Sequence, residues 1–166
     1  MSDTQASGAI AQTAAGAAPA APARGNLGLA IGAGVVAALI GAVLWAVITV
    51  TTEYQIGFMA IGVGVLVGFA VRQFGKGTTQ PFGIAGAALS LAGCMVGNLF
   101  SIFGFISAQE SMAVTEVAST VLGEPGMTMA LMRESFSPMD LLFYGIAVYE
   151  GYKIAMKPTE PAAAAA

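Results

Sequence analysis

The stretch Leu27-Gly-Leu-Ala-Ile-Gly-Ala-Gly-Val-Val-Ala-Ala-Leu-Ile-Gly-Ala-Val-Leu-Trp45-Ala-Val-Ile-Thr-Val50 carries no charged side chain, and the uncharged run extends from Gly25 to Thr52. About 20 apolar residues, each rising about 1.5 Å, cross the hydrocarbon layer of a bilayer, so this segment is long enough to span one. A secretory signal has an apolar core of only about 7–15 residues and then a small-residue cleavage site. This run is longer and no such site follows it, so it reads as a spanning helix that stays attached.

The whole chain has the same character. Of its 166 residues 57% are apolar and 9% charged, against about 45–50% and about 25% in a soluble domain. Beyond the first span (27–50), three more segments reach membrane length: 56–73, 82–106 and 139–157. The last contains Asp140, Tyr144, Tyr149, Glu150, Tyr152 and Lys153, and an interfacial helix is its alternative reading. Residues 1–26 hold ten Ala, two Pro and three Gly, and residues 158–166 are Pro, Thr, Glu and Ala only. Such segments bury too little surface to offset the entropy of ordering and are expected to be disordered tails.

Positive charge near a helix end tends to stay on the cytoplasmic side. Arg24 precedes the first span, Arg72 and Lys76 lie between the second and third, and Lys153 and Lys157 close the fourth. The other side receives Arg133 with Glu53, Glu110, Glu116, Glu124, Glu134 and Asp140. The expectation is an all-α integral membrane protein of the bacterial inner membrane: a four-transmembrane-helix bundle with both termini in the cytoplasm.

Residues 107–138 then form an extracytoplasmic lid. Ser107-x-x-Glu110 has the spacing of a capping box and is expected to start a helix. Val114, Val117, Ala118, Val121 and Leu122 recur at three- and four-residue steps, predicting a short amphipathic helix ended by Gly123 and Pro125. A second is expected from Met127 to Glu134. Ser137-Pro138-Met139-Asp140 restarts the chain, with Ser137 as N-cap.

Chemistry is sparse. The net charge of −3 offers no basic patch for nucleic acid. With no His and one Cys, the chain lacks a disulfide, the usual soft metal sites and any Cys–His or Ser–His pair. No catalytic residue, metal site or cofactor is expected, and the chain does not read as an enzyme. Gly75-Lys-Gly-Thr78 lacks the earlier glycine and the hydroxyl spacing of a phosphate loop. It reads as a cytoplasmic turn in which substitution of Gly77 should matter little.

Glycine is the loudest signal. Gly28 and Gly32, Gly64 and Gly68, and Gly93 and Gly97 stand four apart, and Gly62 joins the second pair. In lipid, small residues let helix backbones approach closely, so these seven are expected helix-packing positions. The second span, small on several sides, is expected to sit centrally with partners all round. Ser90, Cys94, Asn98 and Ser101 form a polar stripe on the third span, either glue between helices or the lining of a solute path. Glu150 is expected to pair with Arg72, Lys76 or Lys153 at the cytoplasmic face. Tyr144, Tyr149 and Tyr152 read as interface anchors or as packing against the second span.

Gly62-Val-Gly-Val-Leu-Val-Gly68-Phe echoes Gly145-Ile-Ala-Val-Tyr-Glu-Gly151-Tyr, and Leu27-Gly-Leu-Ala echoes Phe82-Gly-Ile-Ala. The echo suggests two hairpins related by an axis along the membrane normal. Tyr54-Gln-Ile-Gly-Phe-Met-Ala-Ile-Gly-Val-Gly64, Gly68-Phe-Ala-Val-Arg72, Gly75-Lys-Gly77, Phe82-Gly, Gly93-Cys94, Gly97-Asn98, Asp140-Leu-Leu-Phe-Tyr-Gly145 and Tyr149-Glu-Gly-Tyr152 together carry a resemblance. Over about residues 50–155 the chain resembles a group of small bacterial polytopic inner-membrane proteins of unassigned function. Some of those carry an N-terminal zinc-ribbon or peptide-binding module; here an Ala/Pro-rich tail without metal ligands stands in that place. The expected partners are the lipid bilayer and either further copies of the chain or other membrane proteins. The readings that follow are a scaffold or accessory subunit, or a small-solute transporter or channel lined by the polar stripe.

Overall fold

In α1 (Leu27–Thr52) the buried positions are Ala30, Gly34, Ala37, Ala38, Gly41, Ala42, Trp45 and Thr49, while Leu29, Val36, Leu39, Ile40, Val43, Leu44 and Val47 point outward and are exposed. Apart from Trp45, small residues thus face the protein and large apolar ones face away, the reverse of a water-soluble helix but suited to a lipid surround. The computed structural model describes residues 25–54 and 57–158, and its regular structure there is entirely helical. After α1 come α2 (Phe58–Gly75), α3 (Gln80–Glu110), α4 (Val114–Gly123), α5 (Pro125–Ser135) and α6 (Pro138–Ala155). The first three are long and apolar enough to cross a membrane. Most of the Ala/Pro-rich tails, Arg24 and the expected start of the second span at Ile56 lie outside the described residues.

Helices α1, α2, α6 and α3 pack in that order around a closed circuit, and α2 also touches α3 across it, whereas α1 and α6 have no helix contact. The circuit is tied at one end by Asn26, whose side chain caps α1 by accepting from Leu29 N–H (3.0 Å) and whose own N–H donates to Gly75 C=O (2.9 Å). Helix α2 is therefore not surrounded, as its scattered glycines suggest. Gly62, Val65, Leu66 and Phe69 form an exposed side, so Gly62 makes no close approach among the described residues.

The echo between the two hairpins has a structural counterpart. Gly64 packs on Ala147 and Gly68 on Gly151, and Gly93 packs on Ala38 and Gly97 on Ala42, the registers in which the echoing segments align. A single axis along the membrane normal does not relate them, however, because it would make the α2–α3 contact equivalent to an α1–α6 contact that is missing.

Helix α3 is the largest departure from the expected boundaries. It runs through Glu110, so Ser107 and Glu110 end a helix and do not start one. The Ser107 hydroxyl donates to Met112 C=O (2.7 Å), closing the turn beyond the helix. With 31 residues, α3 is about 46 Å long, more than the roughly 30 Å of a hydrocarbon layer. Its last turns are what α4 and α5 pack on. Phe103, Val117 and Val121 are buried together, with Leu99, Phe100, Ile106, Ala118 and Leu131 around them. Gly123 and Pro125 separate α4 from α5 as expected. Ser137 caps α6, and Asp140 accepts from the Ser137 N–H (2.8 Å) to complete a capping box.

Candidate functional site

The polar stripe of α3 is closed over. Ser90, Cys94, Asn98 and Ser101 are all buried. The two hydroxyls turn back on their own helix, Ser90 donating to Gly86 C=O (2.7 Å) and Ser101 to Gly97 C=O (2.9 Å). The Cys94 thiol donates across to Ala60 C=O of α2 (3.7 Å), and the Tyr144 hydroxyl of α6 donates to Cys94 C=O (3.3 Å). The Asn98 carboxamide is a hydrogen-bonding neighbour of that same hydroxyl. One turn of α3 thereby holds both α2 and α6, which is interhelical bonding of the kind that polar groups supply in lipid.

Around this belt lies an aromatic chain that the sequence did not announce. The Trp45 indole sits on Gly97, where a Cβ would come within 3.0 Å of the ring, and meets Tyr144 edge to face. Tyr144 in turn meets Phe136 edge to face at 5.8 Å. Tyr144 is thus a core residue and not an interface anchor. Tyr152 packs on Gly83 of α3, and Tyr149 is exposed. Trp45 Nε1 and Thr49 Oγ1, one turn apart on α1, are buried without a hydrogen-bond partner among the described residues.

The seven expected packing glycines divide. At Gly64 a Cβ would overlap the Ala147 backbone, at Gly68 it would lie 3.0 Å from Gly151 C=O, and at Gly93 it would lie 2.8 Å from Val63 and 3.1 Å from Ala38. With Gly97 these are true close approaches. Gly28 has only its own cap Asn26 nearby, and Gly32 and Gly62 have nothing within 4 Å. Those three lie outside every contact of the described chain. Gly86 and Gly151, not singled out by spacing, make the tightest α3–α6 crossing: a Cβ on Gly151 would overlap the Ser90 hydroxyl. Gly77 corrects another expectation, since a Cβ there would run into the Phe82 ring.

The four residues expected to pair, Arg72, Lys76, Glu150 and Lys153, lie toward the end of the bundle opposite α4 and α5. Arg72 Nη2 donates to Pro158 C=O (2.8 Å), tying α2 to the chain after α6. Of the three expected partners Glu150 takes Lys153, at 3.8 Å and partly exposed. Lys153 also lies 5.2 Å from the Tyr149 ring. Lys76 is the exposed C-cap of α2, in the left-handed region at φ 52°.

Two open apolar clefts flank the other end. One, of about 540 Å³, lies between α1, the end of α3 and α4, lined among others by Val47, Val50, Phe100, Phe103 and Ala118. The second, of about 580 Å³, lies between α3, α5 and α6 with Met95, Met132, Phe136, Tyr144 and Val148 on its walls and Arg133 at its edge. Ser90, Cys94, Asn98 and Ser101 line neither. The chain matches no family model, and no curated protein or solved structure matches it.

Proposed function

We propose that the chain is a four-span protein of the bacterial inner membrane, with both termini cytoplasmic and α4–α5 forming an extracytoplasmic lid, and that it acts as a scaffold or accessory subunit through helix–helix assembly. One observation carries this reading: the polar run of α3 is buried, its two hydroxyls bonded within α3 and Cys94 bonded through its thiol to α2 and through its carbonyl to α6. A solute path needs such groups to face water, so what is left to act is the outer surface. That surface is broad and apolar, with Val36, Leu39, Ile40, Val43 and Leu44 exposed on α1 beside Gly28 and Gly32. Helix α6 fits the role of fourth span by its packing between α2 and α3 and by the cationic Lys153 and Lys157 at its far end. Further copies of this chain or other membrane proteins are the partners such a surface suits, in keeping with the resemblance to small polytopic membrane proteins.

The small-solute transporter is the second reading, favoured by the unbonded Trp45 Nε1 and Thr49 Oγ1 inside the bundle, since buried polar groups normally find a partner or water. The single cysteine decides between them. Under the scaffold reading Cys94 resists a small water-soluble maleimide in intact membranes and reacts only after denaturation. Rapid labelling in the folded protein would place water beside the stripe and replace the first reading with the second.

A further inference from the structure

We infer that the cleft between α3, α5 and α6 binds a membrane phospholipid, its phosphate on Arg133 and one acyl chain lying along α6. The cleft is concave, and its walls are Leu91 and Met95 of α3, Met129 and Met132 of α5, and Leu141 and Val148 of α6. A hydrocarbon chain in a groove gains dispersion contacts on several sides, whereas on a ridge it gains them on one. From Leu141 to Val148 the groove descends about 10 Å along α6 at the helical rise. The unbranched, polarizable methionines adapt to an occupant that has no fixed shape.

Charge selects the occupant. Arg133 stands in the last turn of α5 at the mouth of the groove, and among the described residues it forms no ion pair. It is also the one cation in the whole segment between Lys76 and Lys153. A guanidinium binds phosphate through paired N–H donors, and a phospholipid is the molecule of the bilayer that joins a phosphate to a long apolar chain. Neither Glu134, the adjacent residue, nor Asp140 of the α6 cap pairs with Arg133 among the described residues, and Asp140 is engaged by the Ser137 N–H. The similar cleft beside α4 has apolar walls and no charged residue, so lipid there is not expected to be held. The inference needs the bundle to lie in a membrane but not a particular orientation or a scaffold role.

The full-length protein in nanodiscs of dioleoyl phosphatidylethanolamine and phosphatidylglycerol, doped with phosphatidylglycerol bearing a diazirine midway along one chain, provides the test. Photolysis should concentrate adducts on peptides containing Met95 and Leu141–Val148. Arg133→Gln should lower them roughly threefold to tenfold, the scale of one hydrogen bond made in competition with water, while Arg72→Gln leaves them unchanged. Gly145→Leu fills the groove from a position with nothing within 4 Å, and should lower them as well. A diazirine diacylglycerol, which lacks the phosphate, should not concentrate there. Adducts spread evenly over all outward helix faces, or a yield indifferent to both Arg133→Gln and Gly145→Leu, would overturn the inference.

Discussion

Trp45 and Tyr144 meet edge to face with ring centroids 6.3 Å apart and planes at 88°, although the helices that carry them do not otherwise pack together. The two rings fill the gap between α1 and α6 above Gly97, and the Tyr144 hydroxyl is then held by Cys94 C=O. Trp45 is 1% exposed and Tyr144 6%. A double-mutant cycle of Trp45→Ala and Tyr144→Ala, read by unfolding in mixed micelles, should return a coupling of about 0.5–1.5 kcal/mol. Tyr144→Phe keeps the ring and should cost about 0.5–1.5 kcal/mol for the lost hydrogen bond. Additive single effects would mean that the rings share a void and not a contact.

The glycines make opposite predictions by position. Gly64→Ala and Gly151→Ala force a methyl into backbone or the Ser90 side chain, and overpacking of this kind costs about 1–3 kcal/mol. Gly62→Ala and Gly32→Ala meet open space and should leave the monomer's melting point unchanged or slightly raised, since Ala is favoured over Gly inside a helix. If Gly32→Leu nevertheless changes the size of the particle on a detergent column, the outward face of α1 is an assembly surface.

Gly77→Ala should be damaging although it lies in a short connecting turn. The added methyl would meet the Phe82 ring, which is 5% exposed, and Phe82 also packs on Gly75. Displacing that ring loosens the end at which Asn26 is tied to Gly75. A drop in thermal stability that Phe82→Leu partly restores is the expected outcome. An unchanged melting curve for Gly77→Ala would show that the turn tolerates crowding.

Why one glycine matters and its neighbour does not was hidden from the sequence for a physical reason. Hydrophobic periodicity marks the buried side of a helix only when the other side is wet. In α1 both sides are apolar and, Trp45 excepted, the informative variable is size: Ala, Gly and Thr inward, Leu, Ile and Val outward. Gly28 and Gly32 obey the four-residue spacing yet face outward, because spacing fixes a stripe but not its direction. Local signals fared better. Ser137-Pro138 as a helix start, and Gly123 with Pro125 as a break, depend on residues within one turn and stand where expected. The Ser107–Glu110 capping box failed because its spacing also arises inside a continuing helix, and α3 continues to give α4 and α5 something to pack on. The stripe on α3 could be grouped from spacing, but its partners Ala60 and Tyr144 are 34 and 50 residues from Cys94, beyond the reach of any local pattern.

Glu150 and Lys153, 3.8 Å apart and with 28% and 49% of their side chains exposed, put the fate of α6 to a last test. A partly exposed i,i+3 pair contributes about 0–1 kcal/mol, so Glu150→Gln should barely alter stability. If α6 crosses the bilayer, single cysteines replacing Lys153 and Glu116 in a Cys94→Ala background must label from opposite sides, the first only after permeabilisation. An interfacial α6 would instead expose both to an external reagent. The packing of α6 against α2 and α3 over its whole buried face, from Asp140 to Ala155, favours the crossing: a helix floating at the surface could not place Gly151 against Ser90 and Tyr144 against Trp45 at once.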